Sequence, residues 1–210
     1  GRGGGRLIAL KKNTHAQLIL LSAPSGLAKS TVIAELLSQR QDIHFSVSFT
    51  TRKPRVGEAN GVNYNFVDRT EFEGMIARGE LLEHAEYVGN YYGTSLKVIQ
   101  EKLNAGIDVL LDIEVQGAAK VRMRCPEAVL IFIIPPSFEE LSRRLRGRNT
   151  DSEEVIAGRL TQAREEYAQI PNYDYLVVND KVSDAAAEII SILVAEDCRT
   201  RNRMHLVEGI

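Results

Sequence analysis

The chain has 210 residues, with 26 Lys+Arg against 28 Asp+Glu for a formal charge of −2, and it is 44% hydrophobic and 26% charged. This composition is that of an ordinary folded domain. It excludes a disordered chain, a collagen and a disulfide scaffold, and also a protein that coats nucleic acid through bulk positive charge.

Residues 1–15 begin GRGGGR and read as a flexible extension, whose apolar piece at 7–10 is too short for a signal-peptide core. Residues 17–21 (QLILL) form a short buried strand, and the loop SAPSGLA at 22–28 turns the chain into a helix over 30–40. Further continuous apolar runs lie at 108–113, 129–133 and 175–178. Runs without polar alternation suit parallel strands covered on both faces. Helical patterns separate them at 96–105, 138–146, 152–169 and 183–201. The fold class is therefore α/β, a mostly parallel sheet flanked by helices. Two polar stretches interrupt it. Residues 48–94 hold short β-type pieces and one helix near 71–79, and residues 137–170 are rich in arginine. The division is thus an extension at 1–15, a core of 16–47, 95–136 and 171–210, and two insertions, 48–94 and 137–170.

The two cysteines, Cys125 and Cys198, show no metal spacing, so two reduced thiols and a cytoplasmic setting are expected. No apolar run approaches the ~18–20 residues that span a bilayer. No nucleic-acid or membrane partner is expected, and the choice between monomer and homo-oligomer stays open.

A strand, a Gly/Ser loop and then Lys29, Ser30 and Thr31 opening a helix is the layout of a phosphate loop, whose backbone N–H groups, lysine and hydroxyl converge on phosphates and Mg²⁺. Ala23 and Ala28 stand where GxxxxGK[ST] has glycine, and a β-carbon at 28 crowds the place where backbone approaches phosphate. From this segment alone, a phosphate cradle and a chance turn are equally open. Arg52 and Arg55 in TTRKPR suit bidentate grips on a phosphate, or form a solvated basic loop. Asp112 closes the strand VLLDI, either near the phosphate loop or capping the next element.

Taken together, Ser22 to Thr31, FSVSFTTRKPRVGEANGVNYNFV, LLEHAEYVGNYYGTS, VLLDIEVQG and PPSFEELSRRLRGR closely resemble guanylate kinases, particularly the bacterial ones. The resemblance implies a P-loop kinase core, a GMP-binding subdomain at 48–94, a mobile lid at 137–170, and Mg²⁺-dependent transfer of the ATP γ-phosphate to GMP or dGMP. It implies an ATP site of Ala23, Pro24, Ser25, Gly26, Leu27, Ala28, Lys29, Ser30, Thr31 and Asn179. On the GMP side it implies Ser48, Arg52, Arg55, Tyr64, Glu83, Tyr92, Thr94, Asp112 and Glu114. Glu83 would accept the N1–H and N2–H₂ donors that distinguish guanine. Ser30 and Asp112 would serve Mg²⁺, and Arg144, Arg148 and Arg159 would come over the phosphates when the lid closes. Lys29, Arg52, Asp112 and the lid arginines are the expected catalytic set, and Glu58 orders the arginine loop. Three positions depart from the pattern: Glu114 replaces a second Asp, Val115 a common Trp, and Phe49 a small residue. Ala28 supports one alternative, a guanylate-kinase-like binding module without catalysis, whereas the retained lysine and lid arginines favour the enzyme. Glu83 with the TTRKPR and GNYYGT blocks disfavours a kinase for another nucleoside monophosphate.

Overall fold

The computed structural model describes residues 15–24, 27, 29–147 and 151–210. In chain order its elements are β1 (Leu18–Ser22), α1 (Lys29–Gln39), β2 (His44–Phe45), β3 (Phe49–Thr50), β4 (Asn65–Phe66), α2 (Arg69–Ala77), β5 (Leu81–Tyr87) and β6 (Asn90–Ser95). There follow α3 (Leu96–Asn104), β7 (Val109–Asp112), α4 (Val115–Arg124), β8 (Val129–Ile134), α5 (Phe138–Arg146), α6 (Glu153–Tyr167), β9 (Tyr175–Val178), α7 (Val182–Asp197) and α8 (Thr200–Arg203). The strands form a sheet of order β2-β7-β1-β8-β9 and a second of order β4-β3-β6-β5.

The continuous apolar runs are the parallel strands. All of β1 is buried, as are the first residues of β8, and Ile19 registers with Val129 while Ile131 registers with Tyr175. Some boundaries differ from the sequence reading. The helix expected over 183–201 ends at Asp197 and is followed by the separate α8, and the one expected over 152–169 contracts to Glu153–Tyr167. Helix α4 and strand β5 carry no clear signal in the sequence; β5 has only its first three residues buried.

By internal contacts the described residues fall into two compact units. One takes in the residues up to Leu18, His44–Leu111 and Gln116–Ala128; the other takes in Ile19–Ile43, Asp112–Val115 and Val129–Ile210. In the first unit, the second sheet is backed by a small core of Phe72, Met75 and Leu81, with Phe49, Val67, Ile76 and Tyr91 packed against it. Phe72 stacks on Tyr91 with ring centroids 5.0 Å apart. Helix α2 starts where Asp68 accepts the Glu71 N–H at 2.7 Å, an N-cap that satisfies one otherwise unpaired donor.

In the second unit, α1 buries Val32, Ile33 and Leu36, and α7 buries Ala185, Ala186, Ile189 and Leu193. Helices α5 and α6 pair through Leu141, Leu145 and Ala163, with Phe138, Leu160 and Tyr167 alongside. Both are capped by serine, Ser137 and Ser152, with acidic residues in the first turn and arginine in the last. Charges so placed complement the helix dipole. The arginine-rich stretch is therefore a well-formed pair of helices with its own apolar seam.

Candidate functional site

The second sheet gathers most of the expected GMP-side residues within the first unit. Strand β3 leads into the loop carrying Arg52, whose two terminal nitrogens donate to the Glu58 carboxylate at 2.8 and 2.9 Å. That carboxylate also accepts the Arg55 backbone N–H at 2.8 Å. The Arg52 fork, and then the Arg55 N–H, hold the Glu58 carboxyl down at about 2. Glu58 in turn, with the Tyr92 hydroxyl adding a smaller effect, raises the Arg52 guanidinium above its ordinary range. Arg52 lies 5.2 Å from the centre of the Tyr64 ring, and the Tyr64 and Tyr92 rings meet edge-on with centroids 5.9 Å apart. Arg55 is exposed. An arginine oriented by a carboxylate fork and two tyrosines is a ready grip for an anion.

On the neighbouring strands Glu83 and Thr94 are direct cross-strand partners, and the Thr94 hydroxyl donates to Glu83 Oε1 at 2.8 Å. Both are buried, Glu83 only 8% exposed. A buried carboxylate held by a hydroxyl suits recognition of a neutral group bearing N–H donors. Ser48, half-buried, gives its carbonyl to the Asn65 N–H at 2.8 Å.

The second unit holds the expected ATP and metal residues. Ser22 ends β1, and Ala23, Pro24 and Leu27 follow; the Leu27 N–H reaches the Pro24 carbonyl at 3.2 Å. Ser25, Gly26, Ala28 and Arg148 lie outside the described residues. Lys29, Ser30 and Thr31 form the first turn of α1. Lys29 makes an ion pair with Asp112, whose carboxylate closes β7 and is 38% exposed. Fully buried Ser22 fixes the segment after Asp112: its hydroxyl donates to the Ile113 carbonyl at 2.7 Å and accepts from the Tyr173 hydroxyl at 2.7 Å. Burial, with the charges of Glu114 and Glu166, pushes the Tyr173 hydroxyl up to about 12. Glu114 lies in this unit with Asp112, two residues along the chain. Asn179, at the end of β9, is buried and takes the Ile134 carbonyl through its N–H at 2.7 Å. Of the arginines expected in a lid, Arg144 pairs with Glu140 at 3.0 Å and Arg159 with Asp151 at 2.9 Å. Their neighbours Arg143 and Arg146 are 73% and 50% exposed.

Residues 15–196 match the family model for guanylate kinase. The chain belongs to the guanylate kinase family. The guanylate kinase of Desulfitobacterium hafniense (strain Y51) is 47% identical over 199 residues, covering 95% of this chain and all of the relative. That of Shouchella clausii (strain KSM-K16) is 53% identical over 188 residues, 90% of this chain and 92% of the relative. Among solved structures, the guanylate kinase from Anaplasma phagocytophilum superposes with a TM-score of 0.74 at 39% identity, covering 91% of this chain and 90% of that one. As a guanylate kinase the chain is a nucleotide-binding transferase, an ATP:GMP phosphotransferase on an α/β fold. Nothing in these comparisons favours the non-catalytic alternative.

Within this guanylate kinase, sequence reading gave the site-bearing blocks but missed two features of their support. One is the Tyr173–Ser22 link, which joins residues 151 positions apart. The other is the pair of α4 cations, Lys120 and Arg124, which reach backbone carbonyls of β5. Among the described residues no helix is long and apolar enough to cross a membrane.

Proposed function

We propose that the two residue sets divide the kinase reaction: 48–94 binds GMP, and the core together with a lid at 137–170 binds ATP. The observation that carries this reading is that one sheet bears both the Arg52–Tyr64–Tyr92 grip and the buried Glu83–Thr94 pair. A phosphate at the first and a guanine edge at the second describe GMP. Arg52 and Arg55, with the tyrosine hydroxyls, offset the phosphate charge. Glu83 accepts from guanine N1–H and N2–H₂, while Ser48 and Thr94 supply hydroxyls. Asp112 and Glu114, expected for GMP from the family blocks, belong to the other compact unit.

On the ATP side, Ala23, Pro24, Leu27 and the N–H groups opening α1 approach the phosphates, Lys29 neutralises the β- and γ-phosphates, and Asn179 sits beside the adenine. Arg144 and Arg159 cover the transferred group on closure, where exclusion of water strengthens each charge. The donors present fit Mg²⁺. The Ser30 hydroxyl and the Asp112 carboxylate are hard oxygen ligands at exposed positions. Among the described residues no cluster of three or more His, Cys, Asp or Glu offers a stand-alone metal cage. When bound, Mg²⁺ would neutralise charge on the transferring phosphate; Ser30 and Asp112 would orient it. Cys125, buried, and Cys198, exposed, are not joined in a disulfide, which fits a reducing, cytoplasmic setting.

The test is ADP release with GMP, dGMP, AMP and UMP as acceptors, with and without Mg²⁺. Release should depend on Mg²⁺ and strongly prefer GMP. Absence of GMP-dependent ADP release at high enzyme concentration would overturn the assignment.

A further inference from the structure

Strand β5 is an edge strand of its sheet, so a row of its carbonyls faces away from β6. Two cations from successive turns of α4 occupy that row. Arg124 Nη1 donates to the carbonyls of Leu81 at 3.2 Å and Leu82 at 2.6 Å, and Lys120 Nζ donates to that of His84 at 2.7 Å. These three carbonyls bracket Glu83. The pairing of β5 with β6 also slips its register between Leu81 and Glu83. A bulge of this kind bends the strand and re-aims the side chain beside it. A cation near the end of α4 is favoured by the helix dipole alone. The dipole does not explain why one guanidinium nitrogen takes both carbonyls of the slipped segment.

We infer that Arg124, assisted by Lys120, is a positioning residue for base selection: it pins the β5 bulge and so fixes the direction in which Glu83 presents its carboxylate. The inference rests on the reading of Glu83 as the group that meets the guanine edge. Charge-assisted bonds to a backbone carbonyl are stronger than neutral ones. A bulge without such anchors can relax toward regular pairing, and a one-residue slip in a strand turns side chains to the opposite face. The Thr94 hydroxyl reaches the carboxylate of Glu83 and not the backbone of the slipped segment.

The test compares GMP with IMP, which lacks the 2-amino group, in wild type, Arg124→Met, Arg124→Lys, Lys120→Met and Glu83→Gln. Arg124→Met keeps the aliphatic stem and removes the donors. It should lower kcat/KM for GMP ~10-fold while IMP falls much less, leaving KM for ATP unchanged. Arg124→Lys should restore part of the GMP preference, and Lys120→Met should show a smaller loss. Should Arg124→Met fail to give a native thermal melt, the Lys variants at and beside the clamp read the same ratio. Equal losses for GMP and IMP, or an unchanged ratio in all the clamp variants, would overturn the inference and leave the cations as mere edge cover. Glu83→Gln separates the two levels. If it collapses the GMP/IMP ratio and the clamp variants do not, only the clamp fails. If it leaves the ratio intact, the reading of Glu83 falls and takes the clamp with it.

Discussion

Gly93 lies on β6 between Tyr92 and Thr94, with close neighbours where a side chain would stand. A Cβ placed there would stand 2.9 Å from Phe72 Cζ, 3.0 Å from Leu81 Cδ1 and 3.2 Å from the Glu83 carbonyl oxygen. None of these can retreat easily. Phe72 is fully buried and stacked on Tyr91, Leu81 is 6% exposed, and the Glu83 carbonyl belongs to the paired strand. Two opposing effects must be weighed in Gly93→Ala. Replacing a glycine within a strand gains ~0.5–1 kcal/mol from reduced freedom of the unfolded chain. Overpacking a dense site costs ~1–3 kcal/mol. The clash should win, leaving the variant less stable by roughly 0.5–2 kcal/mol by the difference of those two. At about 2–4 °C per kcal/mol for a chain of this size, Tm should fall by several degrees. Because strain is relieved by moving β6 from β5, the 2.8 Å Thr94–Glu83 bond should lengthen, and KM for GMP should rise while that for ATP holds. Urea unfolding together with steady-state kinetics measures both. A Gly93→Ala protein as stable as wild type, with its GMP KM intact, refutes the reasoning.

Three further outcomes are expected. Val88, at φ 49 beside Gly89 in the β5–β6 turn, holds a left-handed conformation that a β-branched residue resists; Val88→Asn should stabilise the fold by ~1 kcal/mol in urea titration. Removing the Glu58 fork in Glu58→Ala should raise KM for GMP ~10-fold, with KM for ATP constant, since Arg52 loses its orientation. The Tyr173 hydroxyl, raised from 10.0 to about 12 by burial, keeps its proton when folded at a pH where the unfolded chain has lost it. It therefore contributes stability below pH 10 that disappears as pH climbs toward 12. Between about pH 9 and about pH 11, wild type should lose roughly 1 kcal/mol more than Tyr173→Phe; parallel pH profiles would show the phenol is not responsible.

Strands β1 and β8 were legible because burial on both faces writes an uninterrupted apolar run; β9 also begins and ends where YLVV does, although as an edge strand it buries only Val177. Helix α5 was legible for the opposite reason, a serine cap and two leucines set among charges. Helix α4 escaped because it buries only Gly117, Ala118 and Val121, small side chains that leave little apolar periodicity. Strand β5 escaped because LLEHAEY mixes a buried end with an exposed one. The arginine loop and Glu83 could be named from family blocks. The bonds from Glu58, Thr94 and Arg124 that orient them depend on register, on a bulge and on a helix docking against an edge. No local pattern encodes those.

Three cations assigned to phosphates already have company: Lys29 with Asp112, Arg144 with Glu140, and Arg159 with Asp151. With the proposed roles, nucleotide binding becomes an exchange of anions. An incoming phosphate displaces a tenant carboxylate, and the released carboxylate regains its water. Chloride and other singly charged ions offer no more charge than the tenant does, so they gain little by replacing it. A polyphosphate brings several charges at once and wins. Under those roles the internal tenants act as a valency filter at these three cations, favouring a nucleotide's polyphosphate over simple salt.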